Sequence, residues 1–133
     1  MVLQKCKIKV ASFYILITAL GKNQTLRSID FSHNNLSGGK NPQNMHTLIS
    51  TNKDLVSLSL QECMLGDEHL ASLARGFGPS SRLQKLLIPG NQMSQVSLEY
   101  FCESMKMNRN KLTYLDIGNN PNIQDEDFVA FCG

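Results

Sequence analysis

The sequence predicts an α/β solenoid, with short parallel strands stacked side by side and each followed by a helix. Two observations carry this. An apolar pattern restarts at Leu26, Leu55, Leu83 and Leu112, at steps of 29, 28 and 29 residues. Between these strand-like segments the apolar residues switch to helical spacing. A unit of that length buries its apolar face only by stacking on its neighbours, so a fixed period of this kind means a solenoid.

Each unit opens on a strand. Leu26-x-x-Ile29-x-Phe31-x-x-Asn34-x-Leu36 returns as Leu55-x-x-Leu58-x-Leu60-x-x-Cys63-x-Leu65. It returns again as Leu83-x-x-Leu86-x-Ile88-x-x-Asn91-x-Met93, and as Leu112-x-x-Leu115-x-Ile117-x-x-Asn120. With the first Leu as position 1, positions 4 and 6 point inward from a strand of period two. Position 9 is Asn or Cys, where the chain leaves the strand. An Asn side chain there can satisfy backbone groups of adjacent turns, and a Cys thiol only weakly. Extended backwards, the phase places Met1, Leu3, Cys6 and Ile8 at positions 4, 6, 9 and 11 of an earlier unit. The chain is therefore expected to begin inside a strand.

The helical halves carry apolar residues at i, i+3, i+4 and i+7. They are Phe13, Leu16, Ile17 and Leu20, then Leu70, Leu73, Ala74 and Phe77, then Leu98, Phe101, Cys102 and Met105. The last unit offers Phe128, Phe131 and Cys132. Asp67-Glu68 and Asp125-Glu126-Asp127 put acids where helix N-termini favour negative charge. The first full unit is the least regular: Ser37 to Asn44 reads as a loop, with a short helix from about Pro42 to Ser50. Gly76, Gly78 and Pro79 break the chain between units, as does the stretch 108–111. The last unit has one extra residue before Ile123, so a small bulge is expected there. Met93 and Met105 fall at core phases. The expected organisation is one domain, 1–133, in layers 1–25 (partial), 26–54, 55–82, 83–111 and 112–133.

Composition narrows the function. A net charge of +2 with no basic run makes no case for nucleic acid. The four cysteines, Cys6, Cys63, Cys102 and Cys132, form no zinc-type cluster and read as reduced core residues, which favours the cytoplasm. No metal or cofactor is expected.

These repeats resemble the ribonuclease-inhibitor class of leucine-rich repeat. The resemblance rests on the 28/29 alternation, the strand motif and a helix in every unit, and it covers essentially the whole chain. The class occurs in ribonuclease inhibitors, intracellular nucleotide-binding immune receptors, Ran GTPase activators and actin-regulating scaffolds. It implies a right-handed horseshoe used as a protein-binding platform, with strands on the concave side and helices on the convex side. A true ribonuclease inhibitor is a poor match, because this chain has too few repeats and lacks an acidic, Trp-rich face.

On such a horseshoe the strand positions between the leucines look out from the concave face. Position 3 gives the row Ser28, Ser57, Lys85 and Tyr114, and position 5 gives Asp30, Ser59, Leu87 and Asp116. Positions 7 and 8 continue with Ser32, Gln61, Pro89 and Gly118, then His33, Glu62, Gly90 and Asn119. Adjacent strands are about 4.8 Å apart, so each row is a line of neighbours. Tyr114 and Leu87 are the large apolar members, and Tyr is favoured at interface hot spots. The bland alternative is that both are isolated surface residues.

Other readings are weaker. Asp30, Ser32 and His33 would make a hydrolase only with a base in reach of the hydroxyl and an oxyanion site, and the sequence supplies neither. His46 and His69 are expected on helix surfaces. Asp125-Glu126-Asp127 lacks the alternating spacing of a calcium loop. Residues 1–21 also read as a secretory leader, with Asn23-Gln-Thr25 and Asn35-Leu-Ser37 as glycosylation acceptors. Against that, Phe13, Leu16, Ile17 and Leu20 keep the helical phase of the later repeats. The expectation is a non-catalytic, cytoplasmic module that binds a protein partner, with no nucleic acid and no membrane. Its rival is a structural segment that self-associates through uncapped ends. Exposed apolar ends would also suit a piece of a longer solenoid.

Overall fold

The computed structural model describes residues 1–38, 42–78, 81–107 and 111–123. Four strands form one parallel sheet in sequence order: β1 (Ser28–Asp30), β2 (Ser57–Ser59), β3 (Lys85–Leu87) and β4 (Tyr114–Asp116). The register is that of the sequence repeat, with Ile29 opposite Leu58, Leu58 opposite Leu86, and Leu86 opposite Leu115. Ahead of β1, Val2 bridges Asp30, and the Leu3 amide donates to the Asp30 carbonyl at 2.7 Å. The first residues thus lie where the backward-extended phase puts them. Pairing also runs past the short strands. Phe31 and His33 donate to the carbonyls of Ser59 and Gln61, and Leu60 and Glu62 donate to those of Leu87 and Pro89.

The connections are helical. Helix α1 spans Val10–Leu20, α3 spans Asp67–Arg75 and α4 spans Gln95–Met107. The first full unit instead makes a 3₁₀ turn at Pro42–His46 that runs into a single α-turn, α2 (Thr47–Ser50). The expected short helix is present, with its first half wound more tightly. Among the described residues, no helix is long and apolar enough to cross a membrane.

The core is one layer between sheet and helices. Ile29, Phe31, Leu58, Leu60, Leu86 and Ile88 enter it from the strands. Phe13 and Ile17 of α1, Leu70, Leu73 and Ala74 of α3, and Leu98 and Phe101 of α4 close it from the other side. Leu16, Leu20 and Met105 pack against this core while half-buried. Phe13 meets Phe31 edge-on at 5.1 Å between ring centroids, and Phe77 meets Phe101 at 6.3 Å. Such aromatic pairs add to the burial of their large surfaces. Gly76 ends α3 where a Cβ would lie 2.6 Å from the His46 carbonyl oxygen, so only glycine lets α3 close on the preceding unit.

Position 9 stitches the layers. Asn91 accepts from the Cys63 and Leu65 amides of the preceding unit and donates to the Leu60, Ile88 and Pro89 carbonyls. Asn34 and Asn120 repeat the scheme toward Ile8 and Met93. Cys63 supplies only a thiol, which donates to the Phe31 carbonyl at 3.4 Å. The missing acceptor is replaced by the backbone, because the Leu36 amide donates to the Cys63 carbonyl itself. The residue after each position-9 cysteine is left-handed, with φ of 51° at Lys7 and 58° at Met64. In the last unit Ile123 packs half-buried against the core, and its amide donates to the Asn120 carbonyl, in keeping with one inserted residue.

Three expectations need correction. His69 is not a surface histidine: it is 7% exposed on α3, beside Leu70 in the packed layer. Cys6 is not a core residue: it is exposed, and its thiol donates to the Gln4 carbonyl. Cys102 is only half-buried. Asp125 to Asp127, Phe128, Phe131 and Cys132 lie outside the described residues.

Candidate functional site

The strand face turned away from the helices carries the two predicted rows. Ser28, Ser57, Lys85 and Tyr114 are register partners across all four strands, and so are Asp30, Ser59, Leu87 and Asp116. The parallel pairing makes each row a line, because equivalent positions of successive units are hydrogen-bonded neighbours.

The rows differ in availability. Tyr114 is 53% exposed, and the Lys85 ammonium sits over its ring at 5.3 Å from the centroid. Such a pair holds a cation and an aromatic plane together at the surface. Leu87 is half-buried beside them, and Ser28 is exposed. Ser59, by contrast, is covered on that face. It is buried, and its hydroxyl lies 2.7 Å from that of Ser32. The hydroxyls satisfy each other where two layers close, because a small side chain at position 5 leaves no bulk to hold them apart.

The two aspartates do structural work as well. Asp30 Oδ1 accepts the Ser32 amide and Asp116 Oδ1 accepts the Gly118 amide, both at 2.9 Å, so each braces the turn two residues on. Asp30 also accepts from the Gln4 side chain. Burial pushes the Asp30 carboxyl upward, but the hydrogen bonds from Ser32 and Gln4 outweigh it and hold the carboxyl below its ordinary range.

Beyond the strands the face bends through position 8, which the sequence did not single out as a conformational site. Lys5, His33, Glu62, Gly90 and Asn119 are all left-handed, with φ from 51° to 69°. Only Gly90 and Asn119 are residue types that suggest this. His33 Nδ1 and Glu62 Oε2 approach to 3.2 Å across neighbouring units. The histidine is thus engaged by Glu62, and the Ser32 hydroxyl by Ser59. Asp30, Ser32 and His33 do not assemble a nucleophile and base. Ser32 and Pro89 are buried rather than presented on the face.

Cys63 is buried, and burial pushes its thiol up to about 11, far from a reactive thiolate. Among the described residues, no cluster of His, Cys, Asp and Glu could hold a metal ion.

Comparison with known proteins agrees with this architecture. A family model described as Leucine Rich repeat matches residues 22–39 and 109–132. NACHT, LRR and PYD domains-containing protein 4E of Mus musculus is 26% identical over 106 residues, covering 80% of this chain and 11% of that protein. NACHT, LRR and PYD domains-containing protein 5 of Mus musculus is likewise 26% identical over 106 residues, 80% of this chain and 9% of its own length. The chain thus spans about a tenth of the length of these relatives. Solenoids present extended surfaces for binding other proteins. Its strand motif, its ordered parallel sheet and its matched segments give this chain the fold of a leucine-rich-repeat solenoid.

Proposed function

We propose that this chain is a non-catalytic protein-interaction module whose concave strand face binds a protein partner. One observation carries the reading: Tyr114 stands exposed in the position-3 row with Lys85 stacked on its ring. An aromatic body with a cationic neighbour is the composition of an interface anchor. Leu87 adds apolar surface next to it, and Ser28, Ser57, Asp30 and Asp116 form a polar surround. Ser59 is left out of the contact set because it is buried. A cytoplasmic setting belongs to the proposal, since Val10–Leu20 contributes Phe13 and Ile17 to the core.

A photo-crosslinking amino acid at position 114, compared with one at Ile15 on the helix side, tests this in cells. Ile15 is 72% exposed, so both probes reach solvent. A discrete partner should be captured from position 114 and not from position 15. With that partner purified, K85E/Y114A should weaken binding by roughly thirtyfold or more, the loss expected of a hot spot. Equal capture from both positions, or unchanged affinity of the variant, would refute the reading.

A further inference from the structure

We infer that the helix side carries a second docking surface, shaped for a protein segment that combines an aliphatic side chain with lysine or arginine. It lies between the 3₁₀ turn, α3 and α4, away from the strand face.

A groove of about 390 Å³ runs there, with Ala71 among its lining and Pro42, Val96 and Tyr100 around it. Val96 is 57% exposed and Tyr100 37%. They are four residues apart on α4, so they share one face of the helix. A second hollow of about 300 Å³ shares both residues and is completed by Glu99 and Glu103. The two concavities therefore make one surface, with Val96 and Tyr100 as its common wall. A lone exposed apolar residue needs no explanation. Two side by side, between adjoining concavities, form a seat.

The occupant is argued from charge. Glu68, Glu99 and Glu103 are exposed carboxylates around this seat. Glu99 accepts from Gln95 one turn back, which leaves its charge at the surface. Asp67 also lines the groove but is turned to the next unit, accepting from the hydroxyls of Ser94 and Ser97. Arg75 is the cation lining the groove, and its guanidinium lies over the Tyr100 ring at 4.9 Å. Its charge is held against the aromatic plane, where it stiffens the wall. The surface thus offers apolar contact in a lining whose carboxylates, Asp67, Glu68, Glu99 and Glu103, outnumber its one cation among the described residues, Arg75. A segment with an aliphatic residue beside basic ones complements it, and an acidic segment is repelled.

Two short peptides test this, one alternating leucine with lysine and one alternating leucine with glutamate. Binding is followed by backbone amide NMR of the whole chain. The leucine–lysine peptide should shift the Ala71, Val96 and Tyr100 amides, with an affinity that falls as salt rises. E99K/E103K changes two exposed side chains, and an unchanged amide pattern elsewhere verifies its fold. It should bind that peptide about tenfold more weakly. Equal binding of the leucine–glutamate peptide, undiminished binding by E99K/E103K, or shifts confined to the strand face would each overturn the inference.

Discussion

At the scale of single residues, position 9 shows how one side chain can stand in for backbone. Asn91 satisfies two amides and three carbonyls, all buried between layers. Asn91→Ala strands the Cys63 and Leu65 amides and the Leu60 carbonyl, while the Pro89 and Ile88 carbonyls keep the Glu62 amide and the Asn120 side chain, and each stranded group costs about 1–3 kcal/mol. The variant should lose about 3 kcal/mol or more in urea unfolding. Cys63→Ala gives up only a weak thiol donor and a small volume, about 1 kcal/mol. A reversed order of the two losses would contradict the stitching scheme. The role of position 9 was legible in the sequence because Asn and Cys recur there. The left-handed turn at position 8 was not, since Lys5, His33 and Glu62 are residue types that seldom mark it.

His69 is the residue where sequence and structure part most. The sequence reading left it on a helix surface, and the fold buries it. Both ring nitrogens are buried without a hydrogen-bond partner. Burial lowers its pKa, with Glu68 acting weakly the other way. The neutral ring is favoured in the fold, so the unfolded chain binds the proton more readily. The contribution of His69 to stability is therefore complete above about pH 6.5 and is lost as pH falls toward the folded value. His69→Leu should flatten that part of the stability profile, measured by urea unfolding between neutral and mildly acidic pH. A wild-type slope retained in full by the variant would show that His69 is not its source.

At the scale of elements, polar struts tie neighbouring helices to one another. Asp67, in the first turn of α3, accepts the Ser94 amide at 2.9 Å and the Ser97 hydroxyl at 2.6 Å at the start of α4. Burial raises its carboxyl, but these hydrogen bonds prevail and hold it below its ordinary range. Asp67→Ala should loosen the first turn of α4, so the Leu98 amide, bonded to the Ser94 carbonyl, should exchange faster with solvent. Exchange at the Leu60 amide in the sheet should be unchanged. The sequence marked Asp67-Glu68 as a helix start, which it is. The bond from Asp67 to the next unit joins residues 27 apart and needed the stacked layers to be visible.

At the scale of the whole molecule, each strand pairs with the next along the sheet, so a buried residue of the sheet and an exposed one on its face should act on different properties. Leu58 is fully buried in the second strand and joins layers on both sides. Leu58→Ala should cost about 2–5 kcal/mol. K85E/Y114A removes one surface contact and should change stability by about 1 kcal/mol or less, while acting strongly on partner binding. Comparable destabilisation by both variants in urea would mean that the strand face is part of the core, against its proposed role.

The sequence by itself determined the solenoid, the register of its strands and the repeated leucine positions of the core, because a period of 28 to 29 residues repeats the same apolar positions and stacking buries them together. It also named both rows of the strand face, since side-chain alternation along a strand is strict. Only the tertiary structure decided which members of those rows remain available. Ser59 and Ser32 turn to each other, Lys85 lies on Tyr114, and Glu62 takes His33. It also created the groove between α3 and α4, built from residues that share no motif. These outcomes depend on the distance between side chains of neighbouring layers. That distance is set by packing across some 28 residues of chain, and local spacing carries no record of it.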